Sequence, residues 1–198
     1  LVVNEHLTRS LEPVLIELER AAEDRRHQPA NTAANRPHRS GLEQLAARLP
    51  QVSAFGIIDA NGNIESMTAP FRQNTSLADR DYFIRVREGE RRAVSSILRA
   101  RPTEKLVFVL VQRLETEDQQ FAGAVVASIE LEYFTSLYRD MGMEAGRVVA
   151  VFRNDGKPIL RMPHVDSFES TDVSARPLFT EHVPLASQGV FYAPTPAT

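Results

Sequence analysis

No cysteine occurs among the 198 residues, which excludes disulfides, thiol catalysis and cysteine-ligated metal sites together. No apolar run approaches the roughly 20 residues that a membrane-spanning helix needs. Positive charge is not in excess either. The formal net charge of -3 argues against a nucleic-acid partner, which calls for a basic face. The basic cluster Arg85-Val86-Arg87-Glu88-Gly89-Glu90-Arg91-Arg92 is interleaved with acids and reads as a solvated helix face. Gly-x-Ser-x-Gly elbows and phosphate-cradling glycine loops are missing. The five histidines, His6, His27, His38, His164 and His182, have no spacing suited to a metal. The expectation is therefore no catalytic constellation, no metal and no cofactor. The chain opens on Leu-Val-Val without a starting Met and reads as a soluble piece of something longer.

What is present is a change of period along the chain. Val3, Leu7, Leu11, Val14, Leu18 and Ala21 recur at steps of three and four, the stripe of an amphipathic helix. Pro13 should kink that helix or move its start to about Leu11. The stripe can pack on its own domain or on the same helix of a second copy. His27 to Arg39 reads as a polar loop, and Ser40 as the cap of a short helix over Gly41–Leu49.

After Pro50 the period becomes that of strands. Phe55-Gly56-Ile57-Ile58-Asp59, Ala60-Asn61-Gly62 and Asn63-Ile64-Glu65 form a hairpin, because Asn-Gly tolerates the positive φ of a tight turn. A helix follows from Arg80 to about Glu90. Strands are expected at Val94–Ile97, Leu106–Leu114 and Ala122–Ile129, then a helix over Leu131–Met141. The hairpin design starts again at Val148–Arg153, Asn154-Asp155-Gly156 and Lys157–Arg161. A Pro177–His182 segment and a strand at Gly189–Tyr192 complete the reading. The fold class is α/β (α+β): a long N-terminal helix and two modules of antiparallel sheet, the second incomplete. The corresponding division is 1–40, 41–141 and 142–198.

Within this plan Ser76-Leu77-Ala78-Asp79-Arg80-Asp81-Tyr82-Phe83 stands out. Arg80 offers a planar fork of donors that fits a carboxylate, and Tyr82 and Phe83 offer apolar walls. The alternative is a simple helix start, with Asp79 as N-cap and both rings in the core. Arg113, in an apolar strand, would be exposed near the strand end or, if turned inward, a second anion contact. Ser95, Ser96 and Ser128 could add hydroxyls to the same pocket.

These motifs and their order resemble the double Cache sensor domain, built from a long helix and two PAS-like modules. The likeness rests on Gly56–Gly62, Leu77–Phe83, Phe121–Ile129, Tyr133-Phe134 and Arg153–Gly156, and is nearest to members that precede bacterial diguanylate cyclases and sensor histidine kinases. It implies a periplasmic receptor segment of a membrane-anchored protein, without catalysis of its own. The membrane-distal module (41–141) would bind a small ligand, and the proximal one (142–198) would pass the change on. Amino-acid-binding members carry Arg-x-Trp-Tyr on the helix, then a Tyr, an Asp and a last Asp. Arg80, Tyr82 and Phe83 match the first set, whereas Leu98, Ala100 and Ser128 stand at the other three positions. Without acids to hold an ammonium group, the expected ligand is a small carboxylate lacking an amine. The expected site is Arg80, Tyr82, Phe83, Ser95, Arg113 and Ser128. A homodimer through the N-terminal helix, a ligand-free interaction module and a chemoreceptor ectodomain are the alternatives left open.

Overall fold

A computed structural model describes residues 2–26, 35–101, 103–140 and 148–185, without the side chains of residues 2–6 and 35–40. Helix α1 (Val2–Arg26) continues through Pro13, so a start near Leu11 does not occur. Leu7, Val14 and Leu18 are buried on both sides of the proline, and this packing outweighs the one ladder bond that proline cannot make. Helix α2 (Asn35–Arg48) begins earlier than the sequence suggests. The stretch 35–39 is helical and Ser40 lies inside the helix rather than capping it. Pro37 falls in the first turn, where a missing N–H costs nothing.

The main sheet is antiparallel, in the order β2 (Ile64–Met67), β1 (Val52–Asp59), β6 (Phe121–Glu130), β5 (Leu106–Glu115), β3 (Arg92–Val94). A further strand, β4 (Leu98–Arg99), also pairs with β5. Alternation along the strands divides two cores. Phe55, Ile57, Phe108, Leu110, Val125 and Ala127 face α1, α2 and helix α4 (Leu131–Asp140). Ala54, Ile58, Val107, Val109, Ala124 and Val126 face the opposite way, toward Leu77 and the short helix α3 (Asp81–Arg87). Both faces of the sheet are therefore covered, which explains why β5 and β6 read as continuous apolar runs.

The expected strand Val94–Ile97 is replaced by β3 and β4, one on each side of a break. Ser95 keeps contact with β5 at the break. Its N–H donates to the Val109 carbonyl (2.9 Å) and its Oγ accepts the Val109 N–H (2.8 Å). The Ile97 N–H leaves the sheet altogether and donates to the Pro158 carbonyl at 2.8 Å. Pro158 opens β8 (Pro158–Met162), which pairs with β7 (Val149–Phe152) to form the second hairpin. The short helical turns Asp166–Ser170 and Leu178–His182 follow it. The strand expected at Gly189–Tyr192 lies outside the described residues.

The two hairpins repeat a common backbone pattern. Gly62 N–H donates to Asp59 C=O and Gly156 N–H to Arg153 C=O, both at 3.0 Å. Leu77 N–H then reaches back to Gly62 C=O (2.7 Å), as Val173 N–H does to Gly156 C=O (3.2 Å). Arg80 N–H donates to Leu77 C=O and Arg176 N–H to Val173 C=O, at 3.0 and 2.9 Å. Each arginine carbonyl accepts the next turn, from Phe83 and Ile84 in the first copy and from Phe179 and Thr180 in the second. Arg176 thus occupies in the second copy the backbone place of Arg80.

Candidate functional site around Arg80

The first hairpin positions the site. The Asp59 carboxylate accepts the N–H groups of Asn61 and Asn63 at 2.9 and 2.8 Å and fixes the turn. Gly62 has φ +89, and a Cβ there would lie 2.5 Å from Ala78 Cβ. Only glycine permits this approach, and it seats the 76–80 segment against the turn. That segment forms one lip of a cavity, and residues 98–103 form the other.

Arg80, rather than Asp79, is the N-cap of α3, and it makes no side-chain capping bond. Asp79 turns away to a bidentate pair with Arg101, at 2.7 and 2.6 Å. The Arg101 hydrogen bonds hold the Asp79 carboxyl down at about 2, from an ordinary 3.8. Arg101 also donates to the Ser76 carbonyl at 2.6 Å. In the other direction, Arg80 Nη2 donates to the Arg99 carbonyl at 3.1 Å. Each lip therefore sends an arginine across to the other.

The cavity between the lips measures about 20 Å³, room for about one water molecule. Arg80, Tyr82 and Ser128 line it together with Leu98 and Ala100. Arg101 and Thr103 add polar groups, and among the described residues no acidic side chain lines it. Two polar atoms here, Arg80 Nε and Thr103 Oγ1, are buried without a hydrogen-bond partner. Tyr82 is 3% exposed. Burial pushes its phenol up to about 12, against the opposing pull of Arg80.

Three other expected site residues lie elsewhere. Phe83 is fully buried in the core beneath and meets Phe121 edge-on at 5.7 Å. The Ser95 hydroxyl is engaged at the sheet break, where it donates to the Ser96 carbonyl at 2.6 Å. Arg113 is neither exposed nor in the cavity. Its side chain is 11% exposed and pairs with Glu115 at 2.8 Å. It donates to the Val86 and Arg87 carbonyls and lies 4.8 Å over the Phe121 ring. These contacts close the far end of α3.

A larger groove of about 770 Å³ lies between α1, β5 and β8. Two of its rim arginines are already paired, Arg85 with Glu90 and Arg92 with Glu19.

Asp81, between the lining residues Arg80 and Tyr82, reaches the second hairpin. Arg153, 9% exposed, donates to the carboxylates of Asp81 and Asp155 and to the Val94 carbonyl.

Comparison with known proteins agrees with this architecture. The dCache_1-like family, a histidine kinase sensor domain, matches residues 131–198. Sporulation kinase D of Bacillus subtilis is 24% identical over 118 residues, 60% of this chain and 23% of the kinase. The chain thus spans about a quarter of that relative's length. Among solved structures, the extracellular domain of rpHK1S-Z16, named as a histidine kinase, shares 26% identity at a TM-score of 0.75. That alignment covers 90% of this chain and 73% of the other. The ligand-binding domain of the Pseudomonas aeruginosa amino-acid chemoreceptor PctC, solved with GABA, has the same fold. It shows 18% identity and a TM-score of 0.64, over 86% of this chain and 75% of its own. Over most of its length the chain therefore shares the fold of these extracellular sensor domains, and over residues 131–198 its sequence matches the histidine kinase sensor family.

Proposed function

We propose that the first module, residues 41–141, binds a small carboxylate lacking an amine and that Arg80 holds the carboxylate. One observation carries this reading. Arg80 and Tyr82, Leu98 and Ala100, and Ser128 come from three separate stretches of the chain and gather around a single cavity. The resemblance to amino-acid-binding Cache domains implies ligand contacts at these positions. The buried, unpartnered Arg80 Nε supplies a donor whose desolvation is uncompensated until an acceptor arrives. Ala100 and Ser128 stand where an ammonium would need acids, so the amine is left out of the ligand.

In this reading the segment faces the periplasm in a membrane-anchored receptor, and the second module, 142–198, passes the change toward the membrane. The kinase relatives favour a histidine kinase output over a diguanylate cyclase. A cavity of about 20 Å³ is smaller than any carboxylic acid, so binding requires the lips to part. Titration calorimetry with a panel of small carboxylates tests the assignment. Arg80→Ala should weaken binding by about 1.5–3 kcal/mol, the worth of a hydrogen bond to a charged group, or roughly 10- to 150-fold. Binding that survives the substitution unchanged sinks the reading.

A further inference from the structure

We infer that Arg101 is a second ligand-binding cation of this site, held in reserve by Asp79, and that the ligand is a dianion with two separated carboxylates. This inference rests on the reading of the cavity as a carboxylate site and extends it.

The argument starts from the charges around the cavity. Two arginines, Arg80 and Arg101, line it, and among the described residues no acid does. One anionic group on a ligand leaves one of those charges without a partner from the ligand. Arg101 is at present satisfied from outside the cavity by Asp79 and the Ser76 carbonyl. The Arg101–Asp79 side chains are 39% and 65% exposed, so their pair is of the surface kind that contributes little and exchanges easily. A planar guanidinium bound bidentately to one carboxylate can rebind another with the same geometry. The ligand's second carboxylate therefore competes with Asp79 for the same fork.

The exchange also explains access. Arg101 bridges the 98–103 lip to the 76–80 lip, and Arg80 bridges back to Arg99. The cavity opens only when these cross-lip bonds are released. Thr103 Oγ1, buried and unpartnered beside Arg101, is then a hydroxyl available to the incoming group. In this arrangement Asp79 is an internal competitor whose removal favours the ligand. Arg101 is a ligand contact whose removal disfavours it.

A merely structural ion pair predicts something different, because losing either partner would then have the same effect. The test is calorimetric titration of the chain with the unbranched dicarboxylates from malonate to adipate. Each is paired with the monocarboxylate of the same chain length. The wild type should prefer one dicarboxylate to its matched monocarboxylate. Arg101→Gln should weaken that dicarboxylate about tenfold or more and change the monocarboxylate little. Asp79→Asn should tighten the dicarboxylate about two- to fivefold, the worth of releasing a surface pair. Both positions are exposed, and circular dichroism checks that each variant folds. Shifts of the two variants in the same direction overturn the inference, as does an equal loss for mono- and dicarboxylates in Arg101→Gln. If monocarboxylates bind through Arg80 with no dicarboxylate advantage, the inference fails while the site assignment stands. If no carboxylate binds the wild type, both fail.

Discussion

Replacing Arg153 by Met should loosen the second hairpin from the first sheet while leaving that sheet intact. Methionine keeps the apolar stem and deletes the guanidinium. The lost contacts are two ion pairs, to Asp81 and Asp155, and a hydrogen bond of 3.2 Å to the Val94 carbonyl. Asp81 and Asp155 are 46% and 48% exposed, so both carboxylates regain water once freed. Each pair is then worth about 0.2–1 kcal/mol and the carbonyl bond about 0.5–1.5 kcal/mol. The expected loss is about 1–3 kcal/mol, or roughly 4–8 °C in Tm for a loss of 2 kcal/mol in a chain of this size. Hydrogen exchange locates the effect. Protection should fall at the Ile97 N–H, which donates to Pro158, and across β7–β8, and it should hold in β1, β5 and β6. A stability change below about 0.5 kcal/mol with unaltered protection in β7–β8 would show that Arg153 does not join the two parts. A uniform loss across both sheets would refute the local character of the joint.

Two further outcomes follow from the same geometry. Gly123 sits at φ +123, and a Cβ there would lie 2.1 Å from the Ile58 carbonyl. Gly123→Ala should therefore cost about 2–4 kcal/mol in denaturant unfolding, from backbone strain and the forced separation of β1 and β6. The Tyr82 phenol is raised by burial from its ordinary 10.0 to about 12. Its neutral form is thus favoured by folding, and that contribution is complete below pH 10 and lost as pH rises through about 12. Urea midpoints across this alkaline range should fall less steeply in Tyr82→Phe than in the wild type.

The sequence exposes elements whose period is set by one dominant force. The stripe Leu7, Val14 and Leu18 is buried on the helix it defines, and both Asx-Gly turns lie where the hairpins require them. Where two forces compete, the reading fails. Apolar packing carries α1 past Pro13, and a bond to Pro158 breaks the strand expected at Val94–Ile97. At the site, Arg80, Tyr82 and Ser128 were legible from motif order, but Arg101 and Thr103 were not. They belong to a turn with no pattern of its own, and only the tertiary approach of the two lips gives them a role. Ser95 and Arg113 show the converse, since polar groups in apolar strands here complete backbone hydrogen bonding. The sequence does carry one signal of the second copy. Leu77-Ala78-x-Arg80-x-x-Phe83 recurs as Val173-Ser174-x-Arg176-x-x-Phe179, the repeat that the backbone bonds make explicit.

Arg80, Asp81 and Tyr82 are consecutive, and each belongs to a different part of the molecule. Arg80 reaches across the lips, Asp81 holds Arg153 of the second hairpin, and Tyr82 is embedded beside the cavity. Peptide planes keep neighbouring Cα atoms about 3.8 Å apart, so a single peptide step separates the cavity wall from the ion pair that ties in the second hairpin. Wall and hairpin share a hinge pin one residue wide, the Asp81–Arg153 pair.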